Sequence, residues 1–173
     1  MANASRLLDP EDPSRLDREM MLQALEQAER AGSLGEVPVG AVVVLGGRII
    51  ARAHNLRETT HDPTAHAERL ALTMAGQALG SWRLDRCTLF VTLEPCPMCA
   101  GAIVQSRIQR LVFGALDPKA GACRSLYRLV DDPRANHRVR LTSGVLAVES
   151  ATLLSNFFRD QRTAGEPHPR RGA

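Results

Sequence analysis

At 173 residues the chain fits one domain with room for a sizeable core. Its 44% hydrophobic and 24% charged residues are the balance of an ordinary soluble globular protein, and no apolar run approaches the roughly 20 residues of a membrane helix, which excludes a helical membrane span. The net charge of +3 is uneven, with 10 basic and 13 acidic side chains in residues 1–100 against 12 and 6 in residues 101–173, a skew that fits either a polyanionic partner or a solvated surface. In chain order, residues 1–15 are polar and acidic; they read as a leader without apolar periodicity and not as a signal peptide, so a cytoplasmic protein is expected. Leu16, Met20, Ala24 with Leu25, Ala28 and Ala31 share one stripe and predict a helix that Gly32 stops. VPVGAVVVLGGRIIARAHN predicts a hairpin, with a β-branched run over Ala41–Leu45 turning at Gly46-Gly47. In HDPTAHAERLALTMAG, Asp62 as cap and Pro63 at the first helical position predict a helix that continues to about Ala75.

CTLFVTLEPC then reads as a buried strand running into a proline break, PMCAGAIVQSRI as a helix and RLVFGA as another strand. Residues 115–137, rich in Gly, Pro, Asp and Asn, predict a long functional loop with at most a helical turn. RVRLTSGVLA predicts a strand and a bend, VESATLLSNFFRDQR an amphipathic helix, and residues 163–173 a frayed tail. The order implies an α/β fold: a three-layer α/β/α sandwich around a mixed sheet of about five strands, in a single domain over residues 16–162.

Four cysteines, Cys87, Cys96, Cys99 and Cys123, in a chain without an evident leader point away from disulfides. Cys96-Pro97-Met98-Cys99 has the spacing that lets two thiolates hold one ion; a redox dithiol and two core thiols are the other readings of that spacing. The pair stands where a strand ends and a helix begins, and helix N-terminal amides favour thiolate. His66 stands at a second helix start. One neutral imidazole and two thiolates balance the charge of Zn²⁺, and three protein ligands leave one position for water, as catalytic zinc requires. Cys87, Cys123, His54, His61 and His137 are candidates for a fourth ligand, but none pairs with another at a ligand-like spacing. Cys87 reads as a core residue and Cys123 as a small side chain free in the loop. Glu68, two residues beyond His66, is too offset to bind the same ion and close enough to exchange protons beside it; the plainer reading is a charge that favours the helix N-terminus. His66-Ala67-Glu68 followed by Pro95-Cys96-Pro97-Met98-Cys99 is the H-x-E…P-C-x-x-C signature of zinc-dependent deaminases.

On these residues, and on EVPVGAVVV, HDPTAHAE, VTLEPCPMCAGAI, SRI, VFGALDPKAGA, NHRV and LLSNFFR, the chain resembles the bacterial tRNA-specific adenosine deaminases, which convert the wobble adenosine of an anticodon to inosine. The zinc half is shared with cytidine, cytosine and guanine deaminases; the segments after Ala100 carry the likeness to the tRNA enzymes. The resemblance implies a cytidine-deaminase-like sandwich, one Zn²⁺ per subunit held by His66, Cys96 and Cys99, Glu68 as the proton carrier, a homodimer, and a tRNA anticodon stem-loop as substrate. It further implies that Asn55 contacts the nucleoside, that Val39, Ala67 and Pro95 line the base, and that Asp117 approaches the ribose hydroxyl. Phe157, Phe158 and Arg159, with Asn136 and His137, would hold the RNA loop. By pattern alone Asn55 ends a strand, Asp117 makes an Asp-Pro turn, and one of the two adjacent phenylalanines packs while the other is free to stack. Asp131 and Asp132 depart from the basic character expected near phosphates. Three alternatives stand beside this reading: a free-base guanine or cytosine deaminase, a structural-zinc RNA-binding module and a redox protein.

Overall fold

The computed structural model describes residues 13–163. Their elements are α1 (Pro13–Ser33), β1 (Gly40–Leu45), β2 (Arg48–His54), α2 (Arg57–Thr60), α3 (Ala67–Leu79), β3 (Cys87–Leu93), α4 (Pro97–Gln105), β4 (Arg110–Ala115), β5 (Arg140–Ser143) and α5 (Ala147–Thr163). One five-stranded sheet runs in the order β2-β1-β3-β4-β5. β1 is antiparallel to β2 and β3, whereas β3, β4 and β5 are parallel. The mixed sheet follows from its connections. Gly46 and Gly47, both at positive φ, close a tight hairpin, and α4 supplies the crossover that parallel β3 and β4 need.

Alternation along the strands builds the two outer layers. Ala41 and Val43 of β1, Leu89 and Val91 of β3, and Leu111 and Phe113 of β4 pack with Ala67, Ala71, Leu72 and Ala75 of α3 and Ala100 and Ile103 of α4. The residues between them, Val42, Val44, Phe90 and Val112, pack instead with Met21, Ala24 and Leu25 of α1 and with Leu153 of α5. This is the three-layer sandwich that the order of elements predicts. It also places the N-termini of α3 and α4 side by side beyond the same edge of the helical layer, where the long loop after β4 returns.

Some local readings change. Residues 13–15, expected in the leader, open α1; the rest of that leader and the tail from 164 lie outside the described residues. The buried stripe of α1 is Met21, Ala24, Leu25, Ala28 and Ala31; Leu16 is 41% exposed and Met20 only half-buried. On that side of the helix Asp17 is buried in a bidentate ion pair with Arg110 of β4, at 2.7 and 2.6 Å. Helix α3 does not start at Asp62-Pro63. The Asp62 carboxylate instead accepts the Thr64 N–H and hydroxyl, both at 2.7 Å, in a side-chain-closed turn, and the helix starts four residues later. Cys123, expected free in the loop, is fully buried in the core beside α3 and β4.

Candidate active site

Two helix starts supply the three donors. His66 occupies the N-cap of α3 and Cys96 the N-cap of α4, both in extended backbone, and neither side chain caps its own helix. Pro97 takes the first turn of α4, where its missing N–H costs nothing, and Cys99 follows one turn into the helix. Both cap side chains are therefore left to face each other across the gap between the helices. His66 Nδ1 lies 3.6 Å from Cys96 Sγ and 3.5 Å from Cys99 Sγ, and the three donor atoms lie within 4.8 Å of one another. A tetrahedral ion with Zn–S about 2.3 Å and Zn–N about 2.0–2.1 Å has N···S edges of about 3.6 Å. The donor triangle thus has the size of three corners of a zinc tetrahedron. Among the described residues no fourth His, Cys, Asp or Glu joins the group.

The electrostatics suit a cation. The hydrogen bond from Cys99 holds the Cys96 thiol down at about 4; burial opposes this and the His66 hydrogen bond reinforces it. Cys99 in turn is pushed well up, by that same bond, by burial and by the Glu68 charge. The two thiols thus push each other in opposite directions, and a metal ion is a partner that favours thiolate at both.

Glu68 stands in the first turn of α3, only 4% exposed, two residues beyond His66. Glu68 is walled in by the fold and is not one of the three grouped donors. Burial raises its pKa above the ordinary carboxylate value, outweighing its own backbone N–H and the His66 charge. A carboxyl whose neutral form is favoured in this way is suited to carry a proton.

Val39, Asn55, Ala67 and Pro95 are all buried, and Ala67 and Pro95 are the chain neighbours of His66 and Cys96. The Asn55 N–H donates to the Val39 carbonyl and the Leu56 N–H to the Ala65 carbonyl, each at 3.0 Å, which ties the end of β2 to the turn before His66. Asp117 makes the turn that its sequence also allows: Oδ1 accepts the N–H of Lys119 at 2.9 Å and of Ala120 at 3.1 Å. Asn136 and His137 are not brought to the donor group. Asn136 Oδ1 accepts from Arg107 and His137 Nε2 donates to the Ile108 carbonyl, so both sit past the end of α4 opposite Cys96. Phe157 and Phe158 are each half-buried and meet edge to face at 5.4 Å, so neither ring stands apart from the fold. Asp131 and Asp132 are spent on neighbouring arginines: Arg124 and Arg128 pair with Asp131, and Arg134 with Asp132.

Two buried acids escape a reading of the sequence. Glu36, fully buried, accepts Asn55 Nδ2 at 3.0 Å and the Thr59 N–H at 2.7 Å, which turns the Asn55 amide so that its oxygen is left for another donor. Glu94, 2% exposed at the end of β3, accepts four backbone N–H groups of the loop after β4. The available signal was a charge at the end of an otherwise apolar strand, CTLFVTLE.

Comparison with known proteins agrees with this geometry. The family model for MafB19-like deaminases matches residues 16–162. A tRNA-specific adenosine deaminase of Bacillus subtilis is 53% identical over 146 residues, covering 84% of this chain and 91% of that protein. One of Haemophilus influenzae is 52% identical over 150 residues, 86% of this chain and 87% of that one. A solved structure from a study of A-to-I editing by tRNA:A34 deaminases at the wobble position of transfer RNA superposes with a TM-score of 0.76 at 48% identity, covering 79% of this chain and 99% of that chain. The H-x-E…P-C-x-x-C donors on two facing helix N-termini, the mixed five-stranded sheet and these relatives agree: the chain belongs to the tRNA-specific adenosine deaminase family, within the MafB19-like deaminases.

Proposed function

We propose that the chain hydrolytically deaminates adenosine to inosine at the wobble position of a tRNA anticodon loop, with one Zn²⁺ held by His66, Cys96 and Cys99. The observation that carries this reading is a three-donor group of zinc dimensions with a buried carboxyl, Glu68, beside it and not in it. When bound, Zn²⁺ supplies a Lewis acid that makes water a nucleophile near neutral pH. Glu68 takes the proton that water sheds and delivers it to N1 of the purine as C6 is attacked. A proton then goes to the departing amino group, so adenosine and water give inosine and ammonia. Three protein donors leave room for this chemistry, which a structural zinc module with four would not.

Asn55, oriented by Glu36, contacts the nucleoside; Val39, Ala67 and Pro95 line the base; Asp117 lies toward the ribose. Phe157, Phe158 and Arg159 hold the anticodon loop, and Asn136 and His137 meet RNA farther from the reacting base, consistent with their place past α4. The excess of basic groups after residue 100 suits a polyanion. The active species is a homodimer, as the resemblance implies. Four unpaired cysteines and a tRNA substrate fit the cytoplasm, and no described helix is long and apolar enough to cross a membrane.

Ammonia release from a tRNA anticodon stem-loop, compared with free adenine, guanine and cytosine, tests the substrate class. The stem-loop is the expected substrate, and turnover of a free base in preference to it would give the site to a free-base deaminase.

A further inference from the structure

We propose that Glu94 is a positioning residue that latches the loop of residues 115–125 onto the turn before Cys96, and thereby sets how the substrate is held. The inference rests on the reading above, in which Asp117 on that loop and Pro95 on that turn face the nucleoside. Glu94 follows β3 and stands two residues before Cys96. Its Oε1 accepts the N–H groups of Cys123 at 3.0 Å, Arg124 at 2.6 Å and Ser125 at 2.8 Å. Its Oε2 accepts the Asp117 N–H at 3.0 Å and the Ser125 hydroxyl. The main chain on either side joins in: the Glu94 N–H donates to the Ala115 carbonyl and the Ala122 N–H to the Pro95 carbonyl, each at 2.8 Å. Both ends of the loop therefore close on one buried carboxylate, with the Asp117 N–H and the Ser125 hydroxyl on one oxygen and the N–H groups of residues 123–125 on the other.

The loop is fitted to that carboxylate. A Cβ on Gly121 would fall 2.4 Å from Glu94 Cδ, so only glycine lets the backbone pass this close. The charge also has a role that a neutral side chain cannot fill, because five donors converge on two oxygens. Glu94 touches neither the donor atoms of the metal group nor any atom that the reaction changes. Its effect is carried by the loop.

An isosteric change separates the two ends. In Glu94→Gln, the amide oxygen can keep the three N–H groups of residues 123–125, and the amide nitrogen can donate to the Ser125 oxygen. The Asp117 N–H then loses its acceptor. For the full chain loaded with zinc, Glu94→Gln is expected to raise KM for the anticodon stem-loop about tenfold. We expect kcat to change less than about threefold, zinc to stay at one per chain, and the Asp117 amide to exchange with deuterium at least about tenfold faster. Unchanged KM and unchanged exchange would overturn the proposal. A fall in kcat with zinc loss at constant KM would also overturn it, since Glu94 would then serve the metal turn alone. If Glu94→Gln does not fold, Ser125→Ala, which removes one donor, decides: KM up about threefold supports the latch and an unmoved KM contradicts it. If the wild type makes no inosine, the functional reading fails by itself and the exchange arm alone judges the latch.

Discussion

Glu36 shows how a buried charge is afforded at this site. Burial by itself pushes its carboxyl up, but the Thr59 N–H and hydroxyl, the Glu58 N–H and the Arg57 charge more than offset it and hold the pKa below the ordinary 4.5. A carboxyl with a depressed folded value contributes stability that is present above about pH 4.5 and is lost as pH falls through the folded value. Wild type should therefore be more stable than Glu36→Gln near neutrality, and denaturant melts at falling pH should show the gap closing below about pH 4.5. A gap that stays constant or widens on acidification would show that Glu36 is not held as a carboxylate. The grouping of His66, Cys96 and Cys99 was legible at this scale because a candidate ligand set has a spacing: Cys96 and Cys99 are three apart, and His66 opens the preceding helix. Glu36 and Glu94 were not legible as partners. Apart from the Asn55 amide and the Thr59 and Ser125 hydroxyls, their donors are backbone N–H groups 22 to 31 positions along the chain, and backbone groups leave no mark in a sequence.

Among the elements, α1 and β1 are held closest. A Cβ on Gly40 would lie 2.1 Å from the Ala24 carbonyl oxygen and 2.4 Å from the Ala28 nitrogen. Those atoms belong to the helix backbone and have no rotamer by which to move aside. Gly40→Ala should cost about 1–3 kcal/mol and lower the denaturant midpoint without removing the metal donors. An unshifted midpoint would mean that α1 does not seat on β1 as described. The same seating explains where periodicity misled. A stripe through Leu16 and Met20 is as apolar as one through Met21, and only the Asp17–Arg110 pair reveals which side faces the sheet. The start of α3 was misplaced for a related reason: Asp62 is a competent cap, but its oxygen is taken by Thr64, and the true N-cap position is held by the residue that faces the metal group. Strands β1, β3 and β4 were legible because each is a short apolar run bounded by Gly, Pro or charge, and the mixed β2 was legible as the second arm of the Gly46-Gly47 hairpin.

At the scale of the whole molecule, the sheet order carries α3 and α4 on one face and α1 and α5 on the other, so the N-termini of α3 and α4 bring His66, Cys96 and Cys99 together. The first 100 residues supply His66, Glu68, Cys96 and Cys99; the basic remainder supplies the loop that Glu94 closes. The two parts of the chain meet just after β3, at Glu94. The sequence-level signature could identify the first half on its own, whereas the buried placement of Cys123 and the returning loop needed the fold. The central claim is tested most directly by mapping inosine in total tRNA after incubation with the zinc-loaded chain and with its Glu68→Ala variant. The wild type should place inosine at the wobble adenosine, while Glu68→Ala should keep one zinc per chain and lose at least about 10²–10⁴ of the rate. Equal inosine formation by the two, or none by a wild type that holds its zinc, would contradict the account.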